Sequence, residues 1–175
     1  MQVVLISTYE LGRQPFGLAS PAAWLERAGA TVACLDLSRE PLRGEAIHAA
    51  GLIAFYVPMH TATRLAARLV PRIRALNPTA HLCFYGLYAS VNEAFLRGLG
   101  AGTILGGEFE AGLVSVFKRL ESGRNGAQSA PVVSLERLKF ITPDRSGLVP
   151  LGEYARLIVS DGQRRTVGYT EASRG

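Results

Sequence analysis

Short apolar runs alternate with longer amphipathic stretches through the first two-thirds of the chain. Five runs, Val3 to Ile6, Thr31 to Asp36, Leu52 to Tyr56, His81 to Tyr85 and Thr103 to Leu105, are rich in β-branched or aromatic residues and too short for helices, which predicts strands. Helical patterns lie between them. Ser20 and Pro21 supply a capping residue and a first-turn proline for a helix that Gly29 closes. A shorter, weaker connection spans Arg43 to His48. Thr61 to Leu76 places Leu65, Leu69, Ile73 and Leu76 on one face and Arg64, Arg68 and Arg72 opposite, with Pro71 expected to kink or split it. Ser90-Val91-Asn92-Glu93 reads as a capping box for a helix ending at Gly98, and a last helix is predicted from Phe109 to Glu121.

Strands that alternate with helices predict an α/β fold: a five-stranded parallel sheet, flavodoxin-like or Rossmann-like, covered on both faces. The compact domain is expected over residues 1–122. From Ser122 to Pro131 the chain turns to Gly, Ser, Asn and Ala, and with Pro143 and Pro150 farther on, residues 123–156 read as an extended linker. Residues 157–175 then give Leu157 to Ser160, the turn pair Asp161-Gly162, and Gln163 to Tyr169, a β-hairpin signal. A terminal hairpin is marginal by itself, so the natural protein is expected to continue beyond Gly175.

Composition agrees with one globular domain: 175 residues, 48% of them hydrophobic and 19% charged. With no run of 18 uncharged apolar residues, no signal peptide, and Cys34 and Cys83 both inside apolar runs, a cytoplasmic protein without membrane contact is expected. The net charge of +5 is spread along the chain, with 11 basic and 9 acidic groups in residues 1–123 and 8 and 5 in residues 124–175. The stripe of Arg64, Arg68 and Arg72 lacks the interleaved aromatics of a nucleic-acid surface and reads as a solvated face, so no nucleic-acid partner is expected.

No phosphate loop, nucleophile elbow, zinc-protease helix or Cys-x-x-Cys pair is present. Gly98-x-Gly100-x-Gly102 follows a helix and precedes a strand, the reverse of a dinucleotide loop, and reads as a helix stop and turn. His81, Cys83 and Cys34 lack metal-ligand spacing and read as core, so no metal site is expected. Topology points instead to the carboxyl ends of the first and third strands, where a doubly wound sheet takes its ligand. The ten-residue loop Ser7 to Phe16, with Thr8, Tyr9 and Glu10, lies there beside Tyr56, Val57, Pro58, Met59, His60, Thr61 and Thr63. Gly86, Leu87, Tyr88 and Ala89, then Gly106, Gly107, Glu108 and Phe109, continue the same edge. So wide, apolar and weakly ionisable a platform suits a large, flat, mostly neutral cofactor better than a phosphate or a flavin nucleotide. Met59 and Tyr88 also fit as caps on the core, and His60 fits as a helix-start hydrogen-bonder, a ligand, or one half of an acid/base pair with Glu10 in a small enzyme.

Pro15 to Leu25 before Ala28-Gly29, Leu35-Asp36-Leu37, Tyr85-Gly86, and Gly106-Gly107-Glu108-Phe109-Glu110 together resemble the cobalamin-binding domain of cobalamin-dependent radical S-adenosylmethionine (radical SAM) enzymes. Pro143 to Leu148 and Val167 to Gly175 resemble that family's approach to its Cys-x-x-x-Cys-x-x-Cys cluster loop, and the chain stops where the first cysteine is expected. The resemblance implies a truncated cobalamin (vitamin B12) module whose partner is its own C-terminal barrel. That barrel would bind a [4Fe-4S] iron-sulfur cluster and S-adenosylmethionine and act on a small-molecule or peptide substrate. Thr8-Tyr9-Glu10-Leu11-Gly12 stands where many cobalamin domains carry Asp-x-His-x-x-Gly, implying base-off binding without a histidine ligand, for methyl transfer or another radical reaction. Tyr9, Tyr56, Met59 and Tyr88 would supply apolar contact, Thr8, Thr61 and Thr63 hydrogen bonds, and Glu108 a contact at the last helix start. The chain alone would not be catalytic. The alternative is a cofactor-free flavodoxin-like docking or regulatory domain.

Overall fold

The computed structural model describes residues 1–124 and 130–171. Five central strands form where the sequence predicts them: β1 (Gln2–Ser7), β2 (Thr31–Asp36), β3 (Ala50–Tyr56), β4 (His81–Tyr85) and β5 (Thr103–Gly107). A sixth, β6 (Val132–Ser134), joins the sheet, whose order is β2-β1-β3-β4-β5-β6 with every pairing among the described residues parallel. The sheet therefore has six strands, not five. β6 escapes sequence reading because it is three residues long and half exposed within a stretch read as linker. The hairpin forms as predicted, from β7 (Arg156–Ile158) and β8 (Arg164–Thr166), and Gly162 takes the positive φ of 81° that its turn requires.

Helices cover both faces because the strands are apolar on both. Val3, Leu5, Leu52, Ala54, Tyr56, Cys83 and Tyr85 face α1 (Phe16–Arg27) and α6 (Glu110–Glu121). Val4, Ile6, Ile53, Phe55, Leu82 and Phe84 face the opposite core, with α2 (Gly44–Ala49), α3 (His60–Leu76), α4 (Leu87–Val91) and α5 (Glu93–Gly98). The alternation sorts the paired aromatics as well. Phe55 stacks on Phe84 at 5.0 Å on one face, while Tyr56, Tyr85 and Phe109 cluster at 4.8 to 5.9 Å on the other.

Three helical stretches differ from the sequence reading. α1 begins at Phe16 after Pro15, so Pro21 lies inside it, and Ser20 is no cap: its hydroxyl donates to Glu110 Oε1 at 2.6 Å in the first turn of α6. A proline at position 21 leaves the carbonyl four residues earlier, Gly17, without its helical donor. The buried Tyr85 hydroxyl fills that vacancy, donating to Gly17 O at 2.8 Å. α3 runs unbroken through Pro71, and its buried face is Ala62, Thr63, Ala66, Val70 and Ile73, with Leu65, Leu69 and Leu76 half-buried and the three arginines exposed as expected. Ser90 caps no helix; it lies within α4, and Asn92 separates α4 from α5.

Helix α1 can lie close against the sheet because residue 17 is glycine: a Cβ there would overlap the Tyr56 ring. A Gly17→Ala variant is expected to lose about 1–3 kcal/mol of stability through overpacking. Tyr85→Phe, which leaves the Gly17 carbonyl buried and unpaired, is expected to lose a similar amount, about 1–3 kcal/mol. Urea unfolding followed by far-ultraviolet circular dichroism reads both, and an unchanged midpoint in either variant contradicts this account of the α1–sheet contact.

Candidate functional site

The carboxyl ends of β1 and β3 lie side by side, with Ser7 paired to Tyr56. From Ser7 the chain enters a loop whose reversal rests on two left-handed residues, Leu11 and Gly12, at φ 52° and 76°. Thr8 is buried there, its hydroxyl donating to Ala62 O at 2.9 Å, which ties the loop to the first turn of α3.

Of the residues that the sequence places on the platform, half are core. Thr8, Glu10, Tyr56, Val57, Thr63, Gly86, Ala89, Gly106 and Phe109 are buried, and Thr63 donates its hydroxyl to Met59 O at 3.0 Å. Tyr9, Pro58, Met59, Tyr88, Gly107 and Glu108 are half-buried, while His60, Thr61 and Leu87 are exposed and complete an accessible rim. The glycines belong to the packing. A Cβ on Gly86 would meet the Tyr56 ring and one on Gly106 would meet Ser90 and Val133, while one on Gly107 would overlap Ser134. Gly106 and Gly107 do not open the last helix as the sequence suggested; they are strand residues paired with Val133 and Ser134, and α6 begins at Glu110. Nor is Glu108 its first residue: Phe109 precedes the helix, and the Glu108 amide donates to Ser134 O at 2.7 Å.

Chain from the second half of the sequence returns to this edge. The Asp144 amide donates to Ala19 O at 2.9 Å and the Ala155 amide to Gly12 O at 2.8 Å. Gln14 donates to Val149 O at 2.9 Å, and Arg145 donates to both Gln14 Oε1 and Tyr169 O at 2.6 Å. At the end of β2, buried Asp36 accepts from the Tyr154 hydroxyl at 2.9 Å, and the Arg39 guanidinium lies 5.2 Å from the Tyr154 ring centre. Arg13 stacks on Tyr169 at 4.7 Å, and the Tyr56 hydroxyl donates to Glu171 Oε1 at 3.1 Å. A cavity of about 280 Å³ remains between Arg13, Gln14, Tyr154 and the Val167–Tyr169 stretch.

Sequence reading placed Gln14 in the loop at this edge but did not assign Asp36, Arg145, Tyr154, Tyr169 or Glu171 to the site. The signal available was positional: Pro143 to Leu148 and Val167 to Glu171, the two segments quoted for the family resemblance, are the ones that carry Arg145, Tyr169 and Glu171 onto the first loop. Ala172 to Gly175, quoted with them, lie outside the described residues.

Electrostatics single out Glu10. Its side chain is buried, Oε2 has no hydrogen-bond partner among the described residues, and burial, then the nearby Glu171, push its carboxyl up to about 7 while Arg13 pulls the other way. Ser7 Oγ, also buried, lacks a partner too. Elsewhere burial dominates: it pushes the Cys34 thiol up to about 12 and, with Arg119 and Arg74, His81 down to about 4. The two cysteines are free and buried, so the thiol of Cys34 is held unreactive. Among the described residues no group of three His, Cys, Asp or Glu could hold a metal, and no helix is long and apolar enough to cross a membrane.

Because its folded value is raised, Glu10 holds its proton more tightly in the folded state than in the unfolded one. Folding stability at this site is therefore greatest below pH 4.5, falls as pH rises toward about 7, and is level above. The loss is at most about 3 kcal/mol, at about 1.36 kcal/mol per pH unit. A Glu10→Gln chain should lack this component, so the difference between the two urea-denaturation curves should grow from pH 4.5 to 7; a constant difference contradicts the burial of Glu10.

No protein-family model matches the chain, and no curated protein matches it.

Proposed function

We propose that this chain is the cobalamin-binding module of a radical SAM protein, built on a flavodoxin-like sheet and holding the corrin base-off without a protein histidine ligand. The observation that carries the reading is the donor set at the switch point. Ser7 Oγ and the carboxyl of Glu10, pushed up to about 7, are buried there without described partners, and the rim consists of Met59, His60, Thr61, Leu87 and Tyr88. A ring rimmed by neutral amides is met by neutral donors and acceptors and by apolar contact, where a phosphate would require cations or a cluster of amides. The residues present fit the group in that sense.

Met59, Leu87 and Tyr88 would give the corrin an apolar bed, and Thr61 would hydrogen-bond its amides. Bound cobalamin supplies the organometallic chemistry, and the chain's own share is to bind, orient and exclude water. The iron-sulfur cluster and S-adenosylmethionine would belong to a C-terminal barrel, with the reaction and substrate decided there. A second reading, a cofactor-free docking or regulatory domain, is favoured by the filling of Gly86, Gly106 and Gly107 with the protein's own Tyr56, Val133 and Ser134.

Hydroxocobalamin incubation followed by desalting separates the two. Stoichiometric retained corrin absorbance in a base-off form is expected, with Tyr88→Arg weakening retention about tenfold, equivalent to about 1.4 kcal/mol. No retained corrin on a folded chain overturns the cobalamin reading in favour of docking.

A further inference from the structure

Four arginines lie on α3, and the fold employs one of them. Arg74 donates to the carbonyls of Pro78, Ala80 and Gly100 at 2.8 to 3.1 Å, which braces the chain after the helix. Arg64, Arg68 and Arg72 are exposed, and none of the three makes a hydrogen bond or an ion pair with a described residue. α3 contains no acidic residue, so like charges at four-residue spacing repel along the helix with nothing on it to offset them. From Arg64 to Arg72 the stripe runs about 12 Å at the helical rise.

Beside the stripe lies an apolar groove of about 330 Å³. Leu65 and Leu69 line it from α3 together with Arg68 and Arg72, while Leu37 and Leu42 line it from the chain between β2 and α2. All four leucines are half-buried, so the groove keeps apolar surface open to solvent. Glu40, which also lines it, is engaged elsewhere: it accepts from the Asp36 amide at 3.3 Å and pairs with Arg43 at 3.4 Å. The arginines therefore have no carboxylate of their own.

We propose that this groove docks an acidic amphipathic helix of a partner protein, its apolar edge against the four leucines and its carboxylates on the arginines. Charge complementarity selects that occupant. Carboxylates at every fourth residue of a helix repeat with the spacing of Arg64, Arg68 and Arg72, whereas a single anionic head group engages only part of the stripe. A second copy of the chain, meeting this face across a two-fold axis, would set the stripe against itself. An anionic bilayer surface offers charge but no ridge to fill a groove. The stripe is thus solvated in the free chain and covered in the complex. Thr8 also lines the groove, so the docked helix would lie beside the loop that follows β1. The site stands on α3 and the β2–α2 connection, whether or not the neighbouring edge holds cobalamin.

Fluorescence anisotropy of the full chain tests it, with a dye-labelled helical peptide of about 20 residues that carries leucine along one edge and glutamate at every fourth position beside it. Saturable binding is expected, weakened about tenfold when the peptide's glutamates become glutamine and about tenfold when its leucines become serine. Arg68→Glu combined with Arg72→Glu should weaken it by about the same factor, and a peptide with lysine in place of glutamate should recover binding to that double variant. Both substituted positions are exposed, so circular dichroism should report an unchanged fold. No saturable binding overturns the docking site, as does binding that the double variant keeps at full strength. Two further outcomes also overturn it. Pelleting with phosphatidylserine vesicles that the double variant loses, in place of peptide binding, assigns the stripe to a membrane surface, and a dimer of the chain that excludes the peptide assigns the groove to a second copy.

Discussion

A single hydrogen bond, from the Tyr85 hydroxyl to the Gly17 carbonyl, joins the decisions on which this fold rests. It needs a helical carbonyl with no helical donor, which Pro21 provides, and an approach that only a residue without a Cβ allows, which Gly17 provides. It also needs a tyrosine at the carboxyl end of β4, in register with Tyr56 on β3. Without that fit α1 could not lie on the Tyr56–Tyr85–Phe109 cluster, and Ser20 could not reach Glu110 on α6. An aromatic cluster at the strand ends thereby sets the floor of the candidate site, and α1 sets its wall.

The same arrangement explains why so much of the platform is closed. Tyr56 uses its ring to fill the space left by Gly17 and Gly86, and its hydroxyl reaches Glu171. What stays accessible is the rim of Met59, His60, Thr61, Leu87 and Tyr88. The site is thus an apolar floor belonging to the core, an open neutral rim over β3 and β4, and a polar side over β1 covered by returning chain. Glu10 lies on that polar side, where burial and then the nearby Glu171 push its carboxyl up to about 7.

Strand positions and the hairpin were legible because both depend on local pattern: buried strands show as β-branched runs, and Asp161-Gly162 codes its own turn. Helix starts at Ser20 and Ser90 were misread because a capping residue is recognised by composition, and the same hydroxyl serves equally well mid-helix when it finds a partner such as Glu110. For β6 the local pattern carries almost nothing: Val132–Ser134 is a strand only because Leu105, Gly106 and Gly107 offer it an edge.

By itself, the sequence determined the α/β alternation, the burial of Cys34 and Cys83, the solvated arginine stripe on α3, and a long loop after β1. Each follows from residues within a few positions of one another. Only the tertiary structure decided that Tyr56 and Phe109 are floor instead of contact surface, that glycines 86, 106 and 107 clear space for the chain itself, and that Arg145, Tyr154 and Glu171 return to Gln14, Asp36 and Tyr56. The last of these contacts join residues more than a hundred positions apart, where no period or spacing constrains the pairing and the packed geometry alone selects it.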